Sequence, residues 1–112
     1  MEERRKYVRI PENSRISYRC IPKEKFSDFL TKDISQGGIR FMVEEFIPKG
    51  SFLKIRLKLS KTSVAVEAIV KAVWVKGMPH SDEYEIGVQF VDIPQHAVQH
   101  LICYINDFLM NR

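Results

Sequence analysis

The chain has 112 residues, of which 45% are hydrophobic and 29% charged, the length and mixture of one packed core rather than of two domains or a disordered segment. No apolar run approaches the roughly 18 residues that a membrane span needs. The opening residues 1–6 are mostly charged, with no apolar stretch behind them, so a secretory signal is excluded and a cytoplasmic location is expected. The formal charge is +4, and the first 25 residues hold eight basic against four acidic side chains, while the remaining ten basic and ten acidic residues cancel. A local excess of this kind suits a compact anion better than long nucleic acid or a membrane surface.

In chain order, a basic arm over 1–14 is followed by six segments with the period-2 alternation of half-buried strands. Arg15–Cys20 turns Ile16, Tyr18 and Cys20 to one side. Phe26–Ile34 is a second strand with a weaker pattern, and Ile39–Val43 a third, closed by the turn signal Pro48-Lys49-Gly50. Phe52–Leu59 alternates most cleanly, with Leu53, Ile55, Leu57 and Leu59 inward and Lys54, Arg56 and Lys58 outward. Val64–Val75 is long and rich in β-branched residues, as expected of a strand that bends between neighbours. Tyr84–Val91 sets Tyr84, Ile86, Val88 and Phe90 against Glu85, Gly87 and Gln89.

The period then changes. From Pro94, apolar residues fall at Val98, Leu101, Ile102, Ile105, Phe108 and Leu109, one face of a helix over 94–111 with Pro94 in its first turn. The expected fold class is all-β with a terminal helix, in a single domain over 1–112. Six short strands with short connections close into a barrel or a small sandwich, because open edges invite aggregation. Residues 15–91 would form that unit, and the helix would cover its mouth or flank.

Two motifs carry chemistry. Arg5-Lys6-Tyr7-Val8-Arg9 places two arginines four apart in the arm. A guanidinium is a planar fork that fits phosphate oxygens and the O6/N7 edge of guanine, and its face stacks on bases. By itself the run reads more readily as a solvated tail. Asp33-Ile34-Ser35-Gln36-Gly37-Gly38 lies between two strands. Asp33 can accept from the N–H groups of a guanine edge, Ser35 can donate to a phosphate, and paired glycines let a backbone approach closely. The same residues also make an ordinary turn that satisfies its own backbone.

Together and in this order, Arg-x-x-x-Arg followed by Asp-x-Ser-x-x-Gly resembles the PilZ domain family, matched here by Arg5, Arg9, Asp33, Ser35 and Gly38. The late strand's Gly87-Val88-Gln89-Phe90 and the helix behind it are similar to the family's pattern as well. The resemblance implies a six-stranded antiparallel β-barrel of the split-barrel type with a C-terminal helix, and binding of the bacterial second messenger cyclic di-GMP. It implies that Arg5 and Arg9 wrap the phosphates and guanines, that Asp33 and Ser35 meet the ligand from the barrel surface, and that Gly38 keeps the backbone clear. Arg4, just ahead of the motif, resembles a feature of members that take up two stacked ligand molecules. Gly37 and Trp74 are further candidate contacts. The arm would be mobile without ligand, and its ordering would pass the signal to a downstream protein whose identity the sequence does not give.

Other features are weaker. Trp74 shares the parity of Val66, Val70 and Ala72, which reads as core packing, although its place near a strand end leaves a ligand-bordering role open. Cys20 and Cys103 read as buried thiols. His96 and His100 stand at i and i+4 without a third ligand type, so no metal is expected. No nucleophile elbow, phosphate loop or paired metal-ligand motif points to an enzyme, and no cofactor is implied. The competing readings are a PilZ-like protein–protein adaptor that does not bind the nucleotide, and a small single-stranded nucleic-acid binder. Against the latter, most strand aromatics (Tyr18, Phe41, Tyr84, Phe90) fall on apolar faces.

Overall fold

The computed structural model describes residues 7–60, 62 and 64–111. Its strands are β1 (Ile10–Pro11), β2 (Arg15–Cys20), β3 (Ser27–Ile34), β4 (Gly38–Val43), β5 (Phe52–Lys58), β6 (Ala65–Gly77) and β7 (Tyr84–Asp92), followed by helix α1 (Gln95–Met110). Every pairing is antiparallel. The order β3-β2-β5-β6-β7-β4 closes on itself through β3–β4, giving a six-stranded barrel, and β1 adds one short strand along the end of β3 that β2 leaves unpaired. The six expected strands are present, and β1 is the element that alternation could not reveal, since two residues carry no period.

The core is what the pattern dictates. Ile16, Leu53, Ile55, Leu57, Val66 and Val70 are fully buried inside the barrel, each on the inward parity of its strand. The β4–β5 connection turns at Gly50, whose φ of 94° lies in the left-handed region that a side chain disfavours. Ser51 N–H closes that turn onto Pro48 O at 3.1 Å. Pro94 occupies the cap of α1, one residue ahead of the expected first helical position, and its carbonyl accepts from Ala97 and Val98. The helix presses Ala97, Leu101 and Ile105 onto the barrel, with Tyr104, Phe108 and Leu109 partly covered beside them. Among the described residues no helix is long and apolar enough to cross a membrane.

The two thiols differ. Cys20 packs partly against the core, and burial, then the Glu45 carboxylate, raises its pKa; Cys103 is exposed on α1, so the expectation of burial fails there. A helix face one step off the apolar stripe is solvent, whatever the residue type.

Tyr18 is inside, its ring 5.6 Å from that of Phe41 and its hydroxyl 3.5 Å from Glu45 Oε2. Burial, and next the Glu45 carboxylate, push its pKa up from 10.0 to about 12. A raised acid pKa means that the group's contribution is intact below pH 10.0 and lost as pH rises toward about 12. Chemical denaturation across that window should show wild type losing up to about 2–3 kcal/mol more than Tyr18→Phe. Parallel curves for the two proteins would contradict this account of Tyr18.

Candidate functional site

The β3–β4 hairpin carries the second motif. Asp33 pairs with Arg40, and Ile34 with Ile39, across a four-residue turn in which Ser35 N–H bonds Gly38 O at 2.9 Å. Ser35 Oγ accepts the N–H groups of Gly37 and Gly38 at 3.1 and 3.2 Å, and its own proton points to Gly38 O at a long 3.4 Å. The self-satisfied turn is therefore present, yet its hydroxyl proton is weakly held. Gly38 pairs with Gln89 where β4 runs beside β7. A Cβ there would fall inside the van der Waals shell of the Val88 carbonyl oxygen, with the backbone of Gln89 just beyond.

The arm reaches this hairpin from outside. Ile10 is buried, Pro11 pairs with Asp33, and Glu12 N–H bonds Lys32 O at 3.0 Å. Residues 10–12 of the arm are thus laid along β3 by β1 pairing and by the burial of Ile10. Arg9 Nη1 meets Asp33 Oδ1 at 2.8 Å. Tyr7 lays its ring on Gly37, where a Cβ would stand 2.7 Å from Tyr7 Cδ2. Arg4 and Arg5 lie outside the described residues.

Asp33 is shared. Its second oxygen, Oδ2, is held by Arg40 Nη2 at 2.6 Å, and Arg40 Nη1 reaches Glu85 Oε2 at 3.3 Å. Glu85 is buried, with the ammonium groups of Lys32 and Lys76 each 3.9 Å from its carboxylate. Arg40 Nε is buried without a partner among the described residues. The result is an alternating chain of charge, Arg9–Asp33–Arg40–Glu85, in which two carboxylates withdrawn from water depend on the cations beside them.

Trp74 belongs to this face and not to the core. A bulge between Ala72 and Trp74 breaks the β6 parity, so that Trp74 pairs with Gly87 and Val75 turns toward the interior instead. The indole lies on Gly87, whose missing side chain makes its seat. Ladder pairings then place Pro11, Asp33, Arg40, Gly87 and Trp74 in one row across five neighbouring strands. The row offers a carboxylate, guanidinium forks and a flat aromatic, the parts needed to recognise a purine edge and its phosphates.

Sequence reasoning missed Arg40 and Glu85. Arg40 was within reach, since a hairpin closed between residues 35 and 38 sets position 40 opposite 33. Glu85 was not, because its burial comes from cations supplied by three other strands. A cleft of about 1040 Å³ lies elsewhere: it runs between Pro11–Asn13, the β5–β6 turn and the C-terminal half of α1, and borders the charged row only through Pro11, Thr31 and Lys32. At its wall the buried Glu12 carboxylate accepts from Ser60 N–H at 2.9 Å and from the Tyr104 hydroxyl at 2.8 Å. His96 and His100 stack edge to face with ring centres 6.0 Å apart, and no cluster of three or more metal-ligating side chains occurs among the described residues.

Comparison with known proteins agrees with this geometry. Among solved structures, the chain is similar to the inhibitor of motility MotI/DgrA of Bacillus subtilis, with a TM-score of 0.82 and 20% identity over 97% of this chain and 52% of that one. It is similar to the PilZ domain of Escherichia coli YcgR with c-di-GMP (TM-score 0.73, 14% identity, 96% of this chain and 93% of that one). It is also similar to the K. pneumonia MrkH–c-di-GMP complex (TM-score 0.78, 19% identity, 96% and 53%). The chain spans about half the length of MotI and of MrkH. No curated protein matches it. The family model that matches is the PilZ domain, over residues 3–107, nearly the whole sequence, and the chain belongs to that family.

Proposed function

We propose that this chain is a receptor for cyclic di-GMP. The observation that carries the reading is the Asp33 carboxylate, buried at the barrel surface between the guanidiniums of Arg9 and Arg40 and next to the Ser35–Gly38 turn. Arg9 Nη1 lies on Asp33 Oδ1, the acceptor that a guanine edge would use. On binding, guanine N–H groups take over Asp33 Oδ1, and Arg9 moves to a phosphate or to the guanine O6/N7 edge, exchanging one charge-assisted hydrogen bond for another. Arg40 stays behind and keeps the Asp33 charge balanced during the exchange. Ser35 gives up its long contact with Gly38 O and donates to a phosphate oxygen. Trp74 borders the base from the far side of Gly87.

Arg5 supplies the second fork of the arm and Arg4 recruits a second, stacked ligand molecule; both roles follow from the family resemblance and from the charge of two phosphodiesters. The signal passes as a rearrangement of the arm ahead of Ile10, which changes the surface offered to a partner protein. In a bacterial cell this chain would act in the cytoplasm.

Calorimetric titration with cyclic di-GMP, followed in parallel through the backbone amides of residues 33–38, tests the reading. Saturation at two ligands per chain with shifts across the hairpin is expected. Saturation at one would remove the stacked pair but leave the receptor. No heat and no shifts would favour the adaptor reading, in which the Arg9–Asp33 pair is simply structural.

A further inference from the structure

The outer face of β2, β5 and β6 is a second charged surface, and it accounts for part of the N-terminal basic excess. Strand parity turns Arg15 and Arg19 of β2, Lys54, Arg56 and Lys58 of β5, and Lys71 of β6 outward. The cross-strand register makes these residues neighbours: Arg19 stands opposite Lys54, and Ser17 opposite Arg56. Asp28 and Glu67 are the carboxylates on the same face, bonded to Ser17 at 2.7 Å and 3.7 Å from Arg56. Six cations against two carboxylates leave an excess equal to the +4 of the whole chain. Arg15 and Arg19 therefore do not belong to the ligand-binding arm, although they lie close to it in sequence.

Two aromatic rings are set among these charges. The Arg56 guanidinium lies 4.1 Å from the centre of the Phe26 ring, with that of Arg19 at 5.6 Å, and Lys71 Nζ is 5.9 Å from the ring of Phe52, which is 45% exposed. Like charges at this density repel one another, and a folded surface that keeps them together gains most when an anion arrives. We propose that this face docks a partner protein that presents clustered carboxylates around an apolar centre. Arginines and aromatics are the side chains that dominate protein interfaces, and here they are already held in place by one another. Nucleic acid fits less well, because the Phe26 ring is engaged by guanidiniums instead of open to bases.

The barrel order sets the consequence. In the ring β3-β2-β5-β6-β7-β4, β5 is three places from β4, so this face is centred opposite the hairpin that carries Asp33 and Arg40. Partner and nucleotide can occupy the protein together. Nothing in this face depends on the nucleotide assignment.

The test is titration of the full chain with a short synthetic peptide alternating glutamate with leucine and phenylalanine, read on the amides of Arg19, Lys54, Arg56 and Lys71. Oligothymidylate and phosphatidylglycerol vesicles serve as rival probes. Shifts at those amides, a steep weakening with salt, and a loss of about tenfold in Lys54→Glu/Lys71→Glu with an unchanged melting temperature are expected. Cyclic di-GMP, if it binds, should not displace the peptide. Absence of shifts, equal affinity in the double variant, or tighter binding of oligothymidylate or vesicles at the same amides overturns the proposal.

Discussion

Gly38→Ala should cost the free protein about 3 kcal/mol or more, seen as a fall in melting temperature of more than about 10 °C. The added methyl would meet the carbonyl oxygen of Val88 and the backbone of Gln89, and neither can rotate away as a side chain can. β4 and β7 would have to part at the register Gly38–Gln89, the first rung of the ladder that joins the hairpin to the rest of the barrel. Gly37→Ala is the control. There the new methyl meets only the Tyr7 ring, which can swing into solvent, so stability should hold within about 1 kcal/mol. Equal melting temperatures for the two variants would show that the close approach of β4 to β7 is not what holds position 38 to glycine.

Arg5→Ala/Arg9→Ala should weaken cyclic di-GMP binding about a hundredfold or more, as two sets of charge-assisted hydrogen bonds are lost at roughly 1.5–3 kcal/mol each. The free fold should scarcely notice. Arg9 is partly exposed, so water screens its half of the bridge, and the buried Asp33 carboxylate keeps Arg40 when Arg9 is gone. The measurement is calorimetric affinity beside a thermal melt for each protein. Wild-type affinity in the double variant would sink the nucleotide assignment, whereas a collapse of the melting temperature would mean that the arm serves the fold first.

Most of the barrel was legible because strands buried on one face write their inward residues at every second position, as Leu53 to Leu59 do without a break. The places where reading failed share a cause. Trp74 was assigned to the core from its parity, and one extra residue in the ladder reversed that parity. β1 was invisible because it depends on the β3 edge and not on its own sequence. Of the site, the motif residues Asp33, Ser35 and Gly38 were legible as a group, while the charge excess of the first 25 residues did not show that Arg15 and Arg19 face another side of the barrel. A strand leads away from the arm within five residues, and the charges on it travel to the other side of the barrel.

The Glu12 carboxylate, bonded to Ser60 and to Tyr104, sets how far the arm can travel. It is a knot in a rope: behind it the chain is fastened to helix and barrel alike, and just ahead of it Ile10 and Pro11 pair with β3. From Ile10, itself buried, Arg9 is one residue away and can do little more than turn its side chain, whereas five residues of extended chain toward Arg5 span about 17 Å. The two arginines of one motif therefore differ in reach: Arg9 is held beside Asp33, and inserting residues between Arg5 and Arg9 should weaken any contribution of Arg5 to binding while leaving Arg9 in register.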